Sequence, residues 1–171
     1  MNVDQLKAKI LDVPDFPKPG VMFKDLSTLF ADFEAFESLV HHMSESVGAL
    51  PDKIVAIESR GFIIGAAMAH KMHCGLVLAR KKGKLPRETI SVDYSLEYGE
   101  ATLEIHKDAL KKGESIIIVD DLLATGGTAK AAETLCQKLE AKVLSHNFIV
   151  ELTSLNGKKS LGAPIHSLLK Y

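Results

Sequence analysis

Apolar and polar positions follow two periods along this chain, and each change of period marks an element. "VDQLKAKI", residues 3–10, repeats apolar residues at helical spacing, with Val3, Leu6 and Ile10 on one stripe. "VPDFPKPG", residues 13–20, holds three prolines and a glycine, which predicts no regular structure. "DFEAFESLVHHMSESVGAL", residues 32–50, predicts a second amphipathic helix capped by Asp32. Four short, largely apolar runs come next: "KIVAIE" from Lys53, "GLVLAR" from Gly75, "SIIIVD" from Ser115 and "KVLSHNFIVEL" from Lys142. Runs of this kind predict strands buried on both faces. Helical patterns lie between them, "GFIIGAAMAHKM" from Gly61 and another from about Thr128 to Leu139. The alternation predicts an α/β fold, a mostly parallel sheet flanked by helices.

One stretch departs from that rhythm. "TISVDYSLEYGEATLEI", residues 89–105, alternates apolar and polar positions around Glu97-Tyr98-Gly99-Glu100. The pattern predicts a partly exposed antiparallel hairpin with a flexible loop, an excursion over the edge of the sheet. Excursions of this sort often cover an active site.

Composition narrows the picture by exclusion. The 171 residues suit one domain, and 46% hydrophobic residues are enough for a core. A formal net charge of -1 gives no bulk attraction to nucleic acid or to a membrane surface. The longest apolar stretch, "GFIIGAAMA", is far short of a membrane span, and "MNVDQLKAKI" carries charge where a secretory signal carries its apolar core. Cys74 and Cys136 lie apart in apolar surroundings and read as reduced core thiols of a cytoplasmic protein.

In an open α/β sheet, ligands bind beyond the carboxyl ends of the strands, and three predicted strand ends here are unusually polar. The first is "IIIVDDLLATGGT", residues 116–128, where a strand over 116–119 runs into Asp120 and Asp121 and then into a Thr/Gly loop before a helix. Glycines let successive N–H groups converge, and a helix N-terminus adds partial positive charge, so the loop suits a phosphate monoester. Carboxylates beside it would repel the phosphate but would accept hydrogen bonds from sugar hydroxyls. The second is "ESRG", residues 58–61, with Arg60 placed against the helix dipole. The third is "RKKGKLPRE", residues 80–88, in which Arg80 closes a strand while Lys82 and Arg87 read as solvated. Two anion sites around a sugar-binding pair fit a ribose 5-phosphate with a diphosphate at C1.

These residues carry a family resemblance. "IIIVDDLLATGGT" resembles the substrate motif of type I phosphoribosyltransferases. "FPKPGVMFKDLSTLF", "ESRGF", "RKKGKLP", "YSLEYG", "LEIHKDAL" and "VELTSLNGKKSL…SLLKY" resemble the adenine-specific branch, in order and over nearly the whole chain. The resemblance implies a single domain over 1–171, with a small N-terminal hood (about 1–35) over the active site. An α/β core (about 50–155) with a mobile loop at 88–105 and a C-terminal segment at 156–171 complete it. It implies transfer of the phosphoribosyl group of 5-phospho-α-D-ribose 1-diphosphate to adenine, giving AMP and diphosphate, with Mg²⁺ held mainly through the diphosphate, and a homodimer. It implies that Ala124, Thr125, Gly126, Gly127 and Thr128 hold the 5-phosphate, and that Asp120 and Asp121 hold the ribose hydroxyls. Ser59, Arg60, Arg80, Lys81 and Lys84 then face the diphosphate. Adenine stacks on Phe23, with the backbone of Met22 and Lys24 at its edge and Leu122 or Leu123 on the other side. Glu97 is the candidate base and, with Tyr98, belongs to the lid, and a cis peptide is expected at Glu58–Ser59.

Other residues read as ordinary. His41 and His42 face different ways on one helix, His70 and His73 share a helix face without a further metal ligand, and Met43, Met68 and Met72 fill the core. A phosphoribosyltransferase of hypoxanthine, guanine or xanthine is the alternative enzyme, disfavoured by "FPKPGVMF". A regulator that binds the sugar diphosphate without turnover is the alternative outside catalysis, disfavoured by intact "ESRG" and "RKKGKLP".

Overall fold

The computed structural model describes residues 1–95 and 99–171. Helix α1 (Val3–Lys9) is opened by Asn2, whose side chain accepts from the Gln5 N–H in a capping box. A ribbon of β1 (Leu11–Pro14) and β2 (Met22–Asp25) follows, antiparallel, with Val13 opposite Phe23. The chain between these strands turns through Asp15 at φ 57° and a cis Phe16–Pro17 bond. Residues 15–20 of the proline-rich stretch are irregular, as the sequence reading expects, and only Val13 and Pro14 at its start belong to a strand. Prolines are tolerated on a two-stranded ribbon because its outer edges need no donor. Helices α2 (Ser27–Phe30) and α3 (Phe33–Glu45) come next, and Asp32 caps α3 by accepting from the Ala35 N–H, as expected.

The core alternates β3 (Lys53–Ile57), α4 (Gly61–Met72), β4 (Gly75–Lys81), the hairpin strands β5 (Thr89–Ser95) and β6 (Glu100–His106), then β7 (Ser115–Leu123), α5 (Gly127–Lys138), β8 (Lys142–Glu151) and β9 (Ile165–Lys170). Seven strands form one sheet in the order β5-β6-β4-β3-β7-β8-β9. The five strands from β4 to β9 are mutually parallel, while β6 joins β4 and β5 antiparallel at one edge. The predicted excursion is thus an edge hairpin, paired from Thr89↔His106 to Ser95↔Glu100.

Buried β-branched runs explain the central strands. Ile54, Ile117 and Val119 turn one face of the sheet to Leu39, Met43, Ile64 and Met68 of α3 and α4. Val55, Ile57, Ile116 and Ile118 turn the other face to Ala131, Leu135 and Cys136 of α5. Full burial of such side chains contributes about 1.5–3 kcal/mol each. Burial pushes the Cys136 thiol up to about 12, so it is an inert core group.

Three sequence readings need correction. Strand β7 does not stop at Val119; it runs through both aspartates to Leu123, because Asp120 pairs with Phe148, Leu122 with Val150 and Leu123 with Glu151 of β8. His73 does not share a helix face with His70, since it is the left-handed C-cap of α4 at φ 53°. The C-terminal stretch contains β9, parallel to β8, which no strand pattern in the sequence announced.

Candidate active site

The site is assembled at the carboxyl ends of β3, β4 and β7, with the N-terminal ribbon above it. The Glu58–Ser59 peptide that leaves β3 is cis, at the bond the sequence reading named. Arg60 is the N-cap of α4 and makes no capping hydrogen bond with its side chain. Its Nε donates instead to Asp121 Oδ2 at 2.5 Å, and its guanidinium lies 5.1 Å from the centroid of the Phe23 ring. A cation at a helix N-terminus opposes the dipole, and the Asp121 carboxylate offsets that cost. Phe23 is also held edge-on by Phe16, ring centroids 5.0 Å apart.

Strand alternation separates the neighbours of Phe23. The Lys24 ammonium turns to Asp12 Oδ1 at 2.5 Å and sits 4.0 Å over the Tyr171 ring, so this lysine offers the Phe23 side only its backbone. Met22 is half exposed.

Arg80 leaves β4 clamped by Glu58, with Nη2 to Oε1 at 3.1 Å and Nε to Oε2 at 3.3 Å. Glu58 also accepts from the Lys81 N–H at 2.9 Å, while Arg80 Nη1 donates to the Lys84 carbonyl at 3.2 Å. The hydrogen bond from Arg80 holds the Glu58 carboxyl below the usual carboxylate range, against the upward push of burial. Lys81, Lys84 and Ser59 are exposed on the same rim. Arg87 pairs with Asp108, away from these groups, as a solvated reading expects.

Asp120 and Asp121 occupy consecutive positions of β7 and so project differently. Asp120 Oδ1 accepts from the Asp121 N–H at 2.8 Å. Burial, then the charge of Asp121, push the Asp120 carboxyl well above its ordinary value, with Arg60 opposing weakly. Only glycine fits beside it at the start of α4: a Cβ on Gly61 would meet Asp120 Oδ1 at 2.8 Å and the Val119 carbonyl oxygen at 3.0 Å.

The loop 124–126 then turns into α5 through Gly126 at φ 87°, a left-handed conformation that glycine adopts freely. Helices α1 and α3 have a side-chain cap; α4 and α5, which start at the carboxyl edge of the sheet, have none. The first-turn N–H groups of α5 are therefore open to a bound anion. A cavity of about 430 Å³ borders this turn, lined by Tyr94, Ser95, Thr125, Gly127, Lys130 and Ser160 among others. Of the two leucines, Leu123 is buried in the core against Ala129 and Phe148, and Leu122 is only partly buried. Among the described residues no group of three or more His, Cys, Asp or Glu side chains is placed to hold a metal. Glu97 and Tyr98 lie outside the described residues.

Besides the Glu58 clamp on Arg80, two features of the site were not read in the sequence. One is the pairing of Arg60 with Asp121, assigned there to different parts of the ligand. The other is the packing of Gly157 and Ser160 against the glycine loop: a Cβ on Gly126 would fall 2.5 Å from the Gly157 carbonyl oxygen and still nearer Ser160 Oγ. Neither partner has a periodicity or composition signal pointing to the loop.

An uncapped glycine turn following paired carboxylates on one strand, with two arginines at neighbouring strand ends, is the arrangement of a phosphoribosyltransferase. The phosphoribosyl transferase domain family matches residues 31–160. The chain belongs, within it, to the adenine phosphoribosyltransferases. It is 53% identical over 168 residues to the adenine phosphoribosyltransferase of Carboxydothermus hydrogenoformans, covering 97% of this chain and 99% of that one. It superposes on the crystal structure of the Thermoanaerobacter pseudethanolicus enzyme with a TM-score of 0.97 at 45% identity, over 99% of this chain and 100% of the other. The Saccharomyces cerevisiae enzyme, solved with adenine and an imino-altritol bisphosphate, gives a TM-score of 0.93 at 40% identity, over 98% of each chain. No helix among the described residues is long and apolar enough to cross a membrane.

Proposed function

We propose that this protein transfers the phosphoribosyl group of 5-phospho-α-D-ribose 1-diphosphate to adenine, forming AMP and diphosphate in purine salvage. The observation that carries the reading is one line of contacts: the Phe23 ring, the Arg60 guanidinium at 5.1 Å, and the Asp121 carboxylate 2.5 Å beyond, at the mouth of the glycine turn. A base platform, a cation for the diphosphate and an acceptor for the sugar thus lie side by side above a phosphate cradle.

The residues then divide the substrate. Ala124, Thr125, Gly126, Gly127 and Thr128 hold the 5-phosphate through backbone N–H groups and hydroxyls. Asp120 and Asp121 accept from the 2′- and 3′-hydroxyls. Arg60, Arg80, Lys81, Lys84 and the Ser59 region face the diphosphate. Adenine stacks on Phe23 between the backbone of Met22 and Lys24, with Leu122, the half-buried leucine, opposite. In the reaction adenine N9 forms a bond to C1 as the C1–oxygen bond breaks, and its electron pair leaves with the diphosphate. Positive charge builds on the sugar and negative charge on the leaving group, which Arg60 and Arg80 stabilise. The N9 proton passes to a base, for which Glu97 is the candidate, and Tyr98 lies on the same covering loop.

Mg²⁺ fits this donor set. The carboxylates supply hard oxygens without forming a closed protein cage, which suits an ion carried chiefly by the substrate's diphosphate. When bound, the ion neutralises charge on the diphosphate. Leu76 and Leu78, exposed on one face of β4 between buried Val77 and Ala79, accord with a homodimer, and the enzyme acts in the cytoplasm. The domain runs over 1–171, with the ribbon and first helices (about 1–35) as its hood, 50–155 as the core and 156–171 as the closing segment. Incubation with adenine, 5-phospho-α-D-ribose 1-diphosphate and Mg²⁺ should yield AMP and diphosphate in equal amounts. No AMP, with the protein folded, defeats the proposal.

A further inference from the structure

The chain after β8 returns to the glycine turn from which α5 starts. The 3-10 turn Gly157–Ser160 lies directly on it: a Cβ on Gly157 would collide with the Ala124 carbonyl oxygen and come within 3.0 Å of the Gly126 nitrogen. Ser160 Oγ donates to the Gly157 carbonyl at 2.8 Å, which closes the turn on itself. Backbone thus packs on backbone here, and a small drift of the turn displaces the N–H groups that form the cradle.

One side chain ties this turn to the helix it covers. Glu133, on α5 and 1% exposed, accepts from the Gly162 N–H through both oxygens at 3.1 and 3.2 Å. It also accepts from Lys130 Nζ at 2.8 Å, and His146 Nε2 lies 3.7 Å away. Burial pushes this carboxyl up, but the bonds from Lys130 and Gly162 outweigh that push and hold it below its ordinary value. A buried carboxylate that receives a backbone N–H from one segment and an ammonium from another is a junction that geometry alone can loosen.

We infer that Glu133 is a positioning residue for the 5-phosphate: by anchoring Gly162 it holds the 157–160 turn against residues 124–126 and keeps the cradle in register. The inference rests on the phosphate role given above to that loop. Glu133 touches no substrate in this scheme, so its loss acts on one part of the ligand only.

The experiment compares wild type with Glu133→Ala, Glu133→Gln and Gly162→Ala. Binding of ribose 5-phosphate is measured by calorimetry, and KM for adenine and for 5-phospho-α-D-ribose 1-diphosphate by steady-state kinetics. Glu133→Ala removes the carboxylate that anchors the Gly162 N–H and is expected to weaken ribose 5-phosphate and raise the sugar-diphosphate KM on the order of tenfold. The adenine KM should stay within about twofold, since its platform lies on β2. Glu133→Gln keeps an acceptor for Gly162 and should recover most of the binding. Gly162→Ala folds without removing the carboxylate, and its Cβ, 2.9 Å from Glu133 Oε1, should reproduce the same selective loss at smaller size. Equal weakening of adenine and ribose 5-phosphate, or unchanged ribose 5-phosphate binding in both Glu133→Ala and Gly162→Ala, overturns the inference alone. A wild type that turns over adenine yet binds no ribose 5-phosphate overturns the loop assignment beneath it.

Discussion

Replacing Asp120 by asparagine removes one charge and leaves the side chain's shape almost unchanged. Asp120 sits on a buried strand with its Oδ1 fixed on the Asp121 N–H at 2.8 Å, beside a second carboxylate. The nearest cation, Arg60, is already bonded to Asp121 at 2.5 Å. Asparagine preserves the acceptor for the Asp121 N–H and removes both the desolvated charge and the repulsion. In the absence of substrate Asp120→Asn should therefore be more stable than wild type at neutral pH, by about 0.5–2 kcal/mol, the range found when a functional strain is relieved. For a chain of this size that is roughly 1–8 °C in Tm. The sign with pH follows from proton binding. An acid whose pKa is raised on folding holds more protons in the folded chain, and its ionisation lowers stability as pH rises through that pKa. The advantage of Asp120→Asn should be larger at pH 7.5 than at about pH 4. It shrinks as wild-type Asp120 takes up its proton at its raised pKa, and is gone near the ordinary carboxylate value of about 4, below which folded and unfolded chains both hold that proton. Function should move the other way. Loss of a charge-assisted bond to a ribose hydroxyl costs about 1–3 kcal/mol, or roughly 5- to 150-fold in the KM for 5-phospho-α-D-ribose 1-diphosphate, with adenine less affected. Thermal unfolding at the two pH values, with steady-state kinetics, tests both halves. A lower Tm at pH 7.5, or a gap that does not change with pH, refutes the reasoning about burial; a rise in the adenine KM alone refutes the ribose assignment.

Two further substitutions probe neighbouring groups. Phe23→Ala removes the ring that faces Arg60 and Phe16, and base stacking on an aromatic is worth about 1–3 kcal/mol. The adenine KM should rise while the sugar-diphosphate KM holds within about twofold, and a parallel rise of both would show that Phe23 shapes the whole site. Gly61→Ala drives a Cβ against the Val119 carbonyl and Asp120, contacts that include backbone and cannot swing aside. It should cost about 1–3 kcal/mol in stability and weaken the sugar diphosphate, read by denaturant unfolding and KM; wild-type values in both would mean the helix start adjusts freely.

The parts of this molecule that sequence made legible are those set by local pattern. The β-branched runs at Ile54–Ile57 and Ile116–Val119 can satisfy themselves only in a covered sheet, and Asp32 announces its helix by a bond three residues away. The alternation of residues 89–105 likewise foretold the edge hairpin. What escaped was decided by distant partners. Asp120-Asp121 looked like a strand's end because two charges rarely lie inside one, yet pairing with β8 carries the strand past them. Strand β9, "IHSLLK", has no alternation and is a strand because β8 offers it an edge. At the site, the residue types pointed to a phosphorylated sugar, and the resemblance supplied the base. The mutual neutralisation of Arg60 and Asp121, the Glu58 clamp on Arg80 and the seat of Gly157 on the glycine turn exist only in three dimensions.

The central claim is that this site takes adenine and not a 6-oxopurine. Adenine presents an amino donor at C6 and an acceptor at N1, whereas hypoxanthine and guanine present the reverse. A site that meets adenine with one backbone carbonyl and one backbone N–H from Met22–Lys24 leaves two buried polar groups unpaired with either competitor, at about 1–3 kcal/mol each. The direct measurement is kcat/KM for adenine, hypoxanthine and guanine at saturating 5-phospho-α-D-ribose 1-diphosphate and Mg²⁺. Adenine should be preferred by about 100-fold or more, and near-equal values for the three bases would contradict the account.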